Sequence, residues 1–228
     1  MRTLFLFALV LTACAEPSDP DAEAPTVVSA DQAEAVIPEV ALSAEQAADG
    51  ALAVGDQAPS FTLPDQAGDP VSLDRLNAQG PVVLTFYRGA WCPYCNTQLQ
   101  DYARRYDAIR AAGATLLAVS PQGAAGTAAT ADSLGGSALP FPVLSDVNNE
   151  VSQRYGLVFE VDAETQARYL AVGIDLERAN ESDRWQLPVP ATYVIDRGGT
   201  VRAAFVEADY TQRASLDEIV DALRQIGA

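Results

Sequence analysis

The chain has 228 residues and a formal net charge of −17, with 14 positive residues that are all arginine and no histidine. So acidic a composition argues against nucleic-acid binding and against adhesion to anionic lipid, both of which need clustered positive charge. Three cysteines without histidine supply too few ligands for a structural zinc site, and no flavin, haem or nucleotide motif is present.

Residues 1–13 set Arg2 ahead of a short apolar stretch that stops at small residues. A bilayer span needs about 20 such residues, so the stretch reads as an export signal. Leu11-Thr12-Ala13-Cys14 resembles the lipobox of bacterial lipoproteins. That resemblance implies lipid modification of Cys14, and Ala15 after it implies anchoring on the periplasmic side of the outer membrane. An ordinary signal peptide cleaved nearby is the alternative. Residues 14–53 carry nine acidic side chains from Glu16 to Asp49, no basic one, and much Ala and Pro. Like charges with little to bury favour an extended tether, with a short helix near residues 43–48 compatible with it.

From Val54 to the C-terminus the chain is long enough for one domain with a proper core. Residues 82–87, Val-Val-Leu-Thr-Phe-Tyr, read as a buried strand. Leu99, Tyr102, Ala103, Tyr106 and Ile109 recur at helical spacing until Gly113, and residues 115–119 form the next strand. A strand, helix and strand of this length imply a parallel pair with a right-handed crossover. Residues 123–136 show only weak pattern, and residues 157–187 form a long insertion that carries Trp185. Residues 191–196 and 201–206 flank Arg197-Gly198-Gly199-Thr200 as an antiparallel hairpin. A last helix begins at the capping pair Ser215 and Glu218 and carries an apolar stripe through Ile226. Asp209, Tyr210 and Arg213 are expected to cap this helix rather than to rim a site.

Trp91-Cys92-Pro93-Tyr94-Cys95 falls where the first strand hands over to its helix. Thiols at i and i+3 on a first helical turn share a face close enough to bridge, and the free N–H groups of that turn stabilise a thiolate. Reversible dithiol chemistry is the functional reading. An inert structural disulfide is the bland one.

Two blocks resemble the AhpC/TSA family, the peroxiredoxins and their relatives, within the thioredoxin-fold superfamily. One is Gly55-Asp56-Gln57-Ala58-Pro59-Ser60-Phe61-Thr62-Leu63 with Gly68 and Val71-Ser72-Leu73; the other is residues 86–95, supported by Pro190-Ala191-Thr192-Tyr193-Val194-Ile195-Asp196. The resemblance implies an α/β thioredoxin-like fold, a central mixed sheet flanked by helices with an N-terminal hairpin extension. It puts Cys95 at the peroxidatic position, Cys92 in the place of a Thr and Arg88 in the place of a Pro. Pro190 stands where the family often has Arg and where thioredoxins have a cis-proline. Trp91-Cys92 instead resembles thioredoxin, whose first cysteine attacks.

The activity implied by this resemblance is that of a thiol peroxidase without a cofactor. A hydroperoxide oxidises one thiol, a Cys92–Cys95 disulfide forms, and a thioredoxin-like donor reduces it. Cys95 is then the attacking and Cys92 the resolving thiol. Arg88 stabilises the thiolate and orients the peroxide, and Trp91, Tyr94 and Pro190 shape the pocket. Cys92, nearer the loop, is expected to be the more exposed sulfur. The opposite assignment, with Cys92 attacking, describes an exported thiol-disulfide oxidoreductase. A lipid-tethered scaffold with a merely structural disulfide is the third reading, and for Arg88 itself the bland alternative is a solvated side chain at a strand end.

Overall fold

The computed structural model describes residues 42–133 and 139–227. Cys14, the export segment and most of the acidic stretch lie outside those residues. Helix α1 (Ala44–Gly50) starts at Ser43 in a reciprocal capping box with Gln46. Strands β1 (Thr62–Pro64) and β2 (Pro70–Ser72) pair as the N-terminal hairpin, followed by α2 (Leu73–Asn77). Next come β3 (Val82–Phe86), α3 (Pro93–Arg104), α4 (Tyr106–Ala111), β4 (Thr115–Ser120), α5 (Ala124–Ser133) and β5 (Val143–Ser145). After a 3₁₀ turn at Val147–Asn149 and α6 (Glu150–Arg154), the insertion runs through β6 (Val158–Glu160), α7 (Ala163–Ala171), α8 (Leu176–Asn180) and β7 (Gln186–Pro188). The chain closes with β8 (Ala191–Ile195), β9 (Val201–Val206) and α9 (Leu216–Gln225).

Five strands form the central sheet in the order β5-β4-β3-β8-β9. Strands β3, β4 and β5 run parallel, while β8 and β9 are antiparallel additions on the other side. All five residues of β3 are buried, as an apolar run covered on both faces must be. Alternation splits that run between two layers. Val83 meets Leu99, Tyr102 and Ile109 from α3 and α4 and Leu216, Ile219 and Leu223 from α9. Val82, Leu84 and Phe86 meet Leu73, Tyr155, Leu157 and Tyr193 on the opposite side. This is the expected thioredoxin-like α/β architecture with its hairpin extension.

Three local expectations are revised. The helical stripe from Leu99 to Ile109 belongs to two helices: Arg105 leaves the helical region (φ −115°, ψ 13°) and its guanidinium reaches Asp217 on α9. The weakly patterned stretch after Gly123 is helical as α5. Residues 42–53, expected in the tether, fold onto the domain. Ala47 of α1 is fully buried, the Leu52 N–H donates to the Tyr155 carbonyl at 3.2 Å, and the Glu160 N–H donates to the Leu42 carbonyl at 3.0 Å. Gly156, at φ +73°, lets the chain pass so closely that a Cβ there would lie 2.5 Å from the Gly50 carbonyl oxygen. The helix itself is the one expected near residues 43–48; acidic composition hides its docking, because only its Ala face is buried.

Ala47→Asp tests that attachment. An unpaired carboxylate placed at a fully buried position is expected to lower unfolding stability by about 2 kcal/mol or more. A denaturant midpoint identical to wild type would return residues 42–53 to the tether.

Candidate active site

Beyond β3, the Tyr87 N–H still donates to the Val119 carbonyl at 2.9 Å, after which residues 88–92 turn into α3. Two amide side chains hold this turn. The Ala90 N–H donates to Gln122 Oε1 and Asn96 Nδ2 donates to the Ala90 carbonyl, each at 2.7 Å. Gly89 sits at φ +144°, and a Cβ there would come within 2.5 Å of Trp91 Nε1. Both backbone and space therefore demand glycine. Cys92 is the N-cap of α3 with Pro93 in its first turn, and Cys95 lies one turn in. Both are free thiols. Neither is exposed: Cys92 is 1% and Cys95 0% accessible, so the expected difference in exposure between the two sulfurs is very small.

Two guanidinium groups flank the sulfurs. Arg88 is only 3% exposed, so the solvated reading fails. Its guanidinium carbon lies 4.3 Å from the Tyr210 ring centroid, 4.9 Å from that of Trp91 and 5.7 Å from that of Tyr169, and its Nη2 donates to the Tyr169 hydroxyl. Arg213 Nη2 donates to Cys95 Sγ at 3.6 Å. Arg213 and Tyr210 thus belong to the site, a correction to their expected role as caps, which Ser215 and Glu218 fill instead. Among the described residues, neither Arg88 nor Arg213 forms a salt bridge. Each also keeps a buried Nε without a hydrogen-bond partner.

This setting draws the two thiols apart. Cys92 is pulled down to about 6, first because the Cys95 thiol donates to it, against the opposing effect of burial, and further by the Cys95 backbone and the charges of Arg88 and Arg213. Cys95 is pushed up by burial first, then by giving its hydrogen bond to Cys92 and by the negative charge there. The two shifts run in opposite directions, so the pair favours the charge on Cys92 and the proton on Cys95.

Arg88 and Pro190 share a cavity of about 170 Å³ with Phe159, Val161, Tyr169 and Tyr210. The other two expected pocket residues lie beside it. Trp91 stacks on Tyr169 with ring centroids 5.5 Å apart, and the exposed Tyr94 meets Tyr210 edge-on at 5.8 Å. All described peptide bonds are trans, so Pro190 lacks the thioredoxin-type conformation. Gln122, Tyr169, Tyr210 and Arg213 join the site from distant segments. Of these, only Tyr210 and Arg213 carried any signal in the sequence, as charged and aromatic residues just before the last helix.

The proton sharing has a direct consequence for reactivity. Iodoacetamide alkylation of the reduced protein is expected to be pH-independent above about 7 and to fall roughly tenfold per unit below about 6, as the Cys92 thiolate is protonated. An ordinary thiol would still be gaining rate at pH 8, and such a profile would contradict a Cys92 thiolate held by Cys95 and the two guanidiniums.

Residues 54–204 match the AhpC/TSA family. Chloroplastic peroxiredoxin Q of Triticum aestivum is 31% identical over 153 residues, which cover 67% of this chain and 58% of that protein. The chain thus spans less than two thirds of the wheat protein's length. Chloroplastic peroxiredoxin Q of Sedum lineare is 27% identical over 172 residues, covering 75% of this chain and 78% of its own length. Among solved structures, peroxidoxin BcpB from Mycobacterium tuberculosis superposes with a TM-score of 0.59 at 24% identity, over 76% of this chain and 97% of that one. The reduced 2-Cys peroxiredoxin of Plasmodium vivax gives 0.59 at 19% identity, over 76% and 81%. These structural likenesses establish the shared fold. The matched region takes in the central sheet and the turn that holds both thiols, and the chain belongs to the AhpC/TSA family.

Proposed function

We propose that the chain is a thiol peroxidase working through the Cys92/Cys95 pair. The observation that carries this reading is the buried dithiol with Arg213 on the Cys95 sulfur and the buried Arg88 beside the same turn, neither of them bridged to a carboxylate among the described residues. The Cys92 thiolate attacks the outer oxygen of a hydroperoxide, ROOH. The O–O bond breaks, Cys92 becomes a sulfenic acid, and the departing RO⁻ takes the Cys95 proton to leave as ROH. The thiolate so formed on Cys95 attacks the Cys92 sulfur and expels hydroxide, which solvent protonates to water. A disulfide remains, and a thioredoxin-like dithiol donor reduces it by exchange. Arg88 and Arg213 hold charge on sulfur and on the leaving oxygen throughout.

This assignment reverses the roles that family position suggests, because Cys95 is the deeper sulfur and the one that keeps its proton. A thiol-disulfide oxidoreductase is the competing reading, favoured by a low-pKa thiol at a helix N-cap. The near-complete burial of both sulfurs weighs against it, since a peroxide is far smaller than a protein disulfide.

Cys92→Ser is expected to lose at least about 100-fold in peroxide consumption with a dithiol donor, since a hydroxyl is a poor nucleophile. Cys95→Ser should retain one turnover and yield a dimedone-trapped sulfenic acid on Cys92. Trapping on Cys95 in Cys92→Ser at the wild-type rate would restore the family-position roles. Insulin reduction without peroxide consumption would select the oxidoreductase.

Export and lipid anchoring at Cys14 complete the proposal, resting on the lipobox-like Leu11-Thr12-Ala13-Cys14. Durable anchoring needs two or more acyl chains. Cys14→Ser is therefore expected to move the protein from the membrane fraction to the soluble one, and an unchanged distribution would remove the anchor from the scheme.

A further inference from the structure

We propose that Tyr169, carried on α7 of the insertion, is a positioning residue that holds the Arg88 guanidinium against the dithiol and thereby couples α7 to the charge on the pair. The inference rests on the reading of Cys92 and Cys95 as the reacting thiols. It assigns a task to a segment that no step of the peroxidase reaction itself requires.

Arg88 is a buried cation whose only side-chain hydrogen bond among the described residues is the one it donates to the Tyr169 hydroxyl. Aromatic faces surround the rest of it: Trp91 and Tyr210 at 4.9 Å and 4.3 Å, with Tyr169 at 5.7 Å. Such rings attract a guanidinium without neutralising it. A buried charge needs an opposite charge, or its desolvation goes uncompensated. Cys92, four residues further along the same turn, is the group that can carry that charge, and the Arg88 guanidinium is one of the causes that lower its thiol.

Other charged or titratable groups around the pair do not replace it. Arg213 approaches Cys95 from the segment before α9 and adds positive charge. Tyr87, behind Cys95, is pushed up to about 12 by burial and stays neutral. Tyr94 and Tyr210 lie at the rim, and Asp162 lines the same cavity as Arg88 while accepting from the Thr165 N–H and hydroxyl.

Helix α7 is held lightly. None of its residues is buried, and Leu170 and the following Val172 are exposed. At the site Tyr169 meets Arg88 and, ring tilted, Trp91, and it also packs on the insertion's Val161, Leu176 and Leu187 cluster. Because coupling between two sites is reciprocal, whatever Tyr169 contributes to the thiolate through Arg88, the thiolate contributes to the docking of α7. Loss of the sulfur charge, by alkylation or by disulfide formation, leaves Arg88 without its counter-charge and loosens the helix that contacts it.

Two measurements on the full-length protein test this, neither using peroxide turnover. Tyr169→Phe keeps the ring and removes the hydroxyl; the midpoint of its iodoacetamide pH profile is expected to rise by about half a unit, lowering the rate at pH 6 roughly twofold. Trp185→Phe, in the same insertion but away from Arg88, should leave the midpoint at the wild-type value. In the unmutated protein, amide exchange across α7 is expected to be faster in the alkylated and disulfide forms than in the reduced form, while exchange in β3 stays the same. An unshifted midpoint in Tyr169→Phe, an equal shift in Trp185→Phe, or α7 exchange indifferent to the state of the thiols each overturns the proposal. A protein that passes both tests but consumes no peroxide would instead sink the peroxidase reading alone.

Discussion

A positive charge buried without a carboxylate is the constraint around which this site is built. Arg88 arrives on the chain leaving β3 and Arg213 on the chain entering α9. Neither forms a salt bridge among the described residues; Arg88 is buried, the half-buried Arg213 donates to the Cys95 sulfur at 3.6 Å, and both charges lower the Cys92 thiol. An ordinary thiol in an apolar core stays protonated, because burial disfavours the charged form. Here burial does act on both cysteines in that direction, and on Cys92 it is outweighed by the hydrogen bond from Cys95 and the two guanidiniums. The same low-polarity surroundings that make an unpaired charge unfavourable make this arrangement of three groups strong.

The fold supplies rigidity on one side of the dithiol and places the insertion on the other. Central strand β3, paired on both edges and buried on both faces, fixes where the turn begins. Gln122 and Asn96 then clamp that turn through the backbone of Ala90, and Gly89 gives it the room to close. Opposite them, the insertion folds into a small cluster of its own around Val161, Leu176 and Leu187 that touches Trp91. Preorganised groups next to the sulfurs and a peripheral segment beside them would suit the proposed thiol peroxidase reaction, which must exclude water while the peroxide reacts.

Much of the fold is legible along the chain because it rests on local periodicity. The apolar run of β3, the Arg197-Gly198-Gly199-Thr200 turn between β8 and β9, and the Ser215–Glu218 capping box each announce an element within a few residues. Misreadings cluster where local pattern is a poor guide. Residues 42–53 look like solvated acidic chain, yet one alanine face and a glycine-lined crossing at Gly156 are enough to dock them. The stripe from Leu99 to Ile109 keeps helical spacing across a break at Arg105 that periodicity does not register.

From the order of residues alone come the paired thiols at a strand-to-helix junction, the strand and helix succession, and the family resemblance, since all of these depend on neighbours in the chain. Which sulfur bears the charge, and what holds it there, depends on groups that meet only when the chain is folded. Arg88 and Tyr169 are separated by 81 positions, and Cys95 and Arg213 by 118. Burial and electrostatic contact act through space, so tertiary structure alone brought Tyr169 to the site, put Arg213 on the Cys95 sulfur and shut Cys92 away from water.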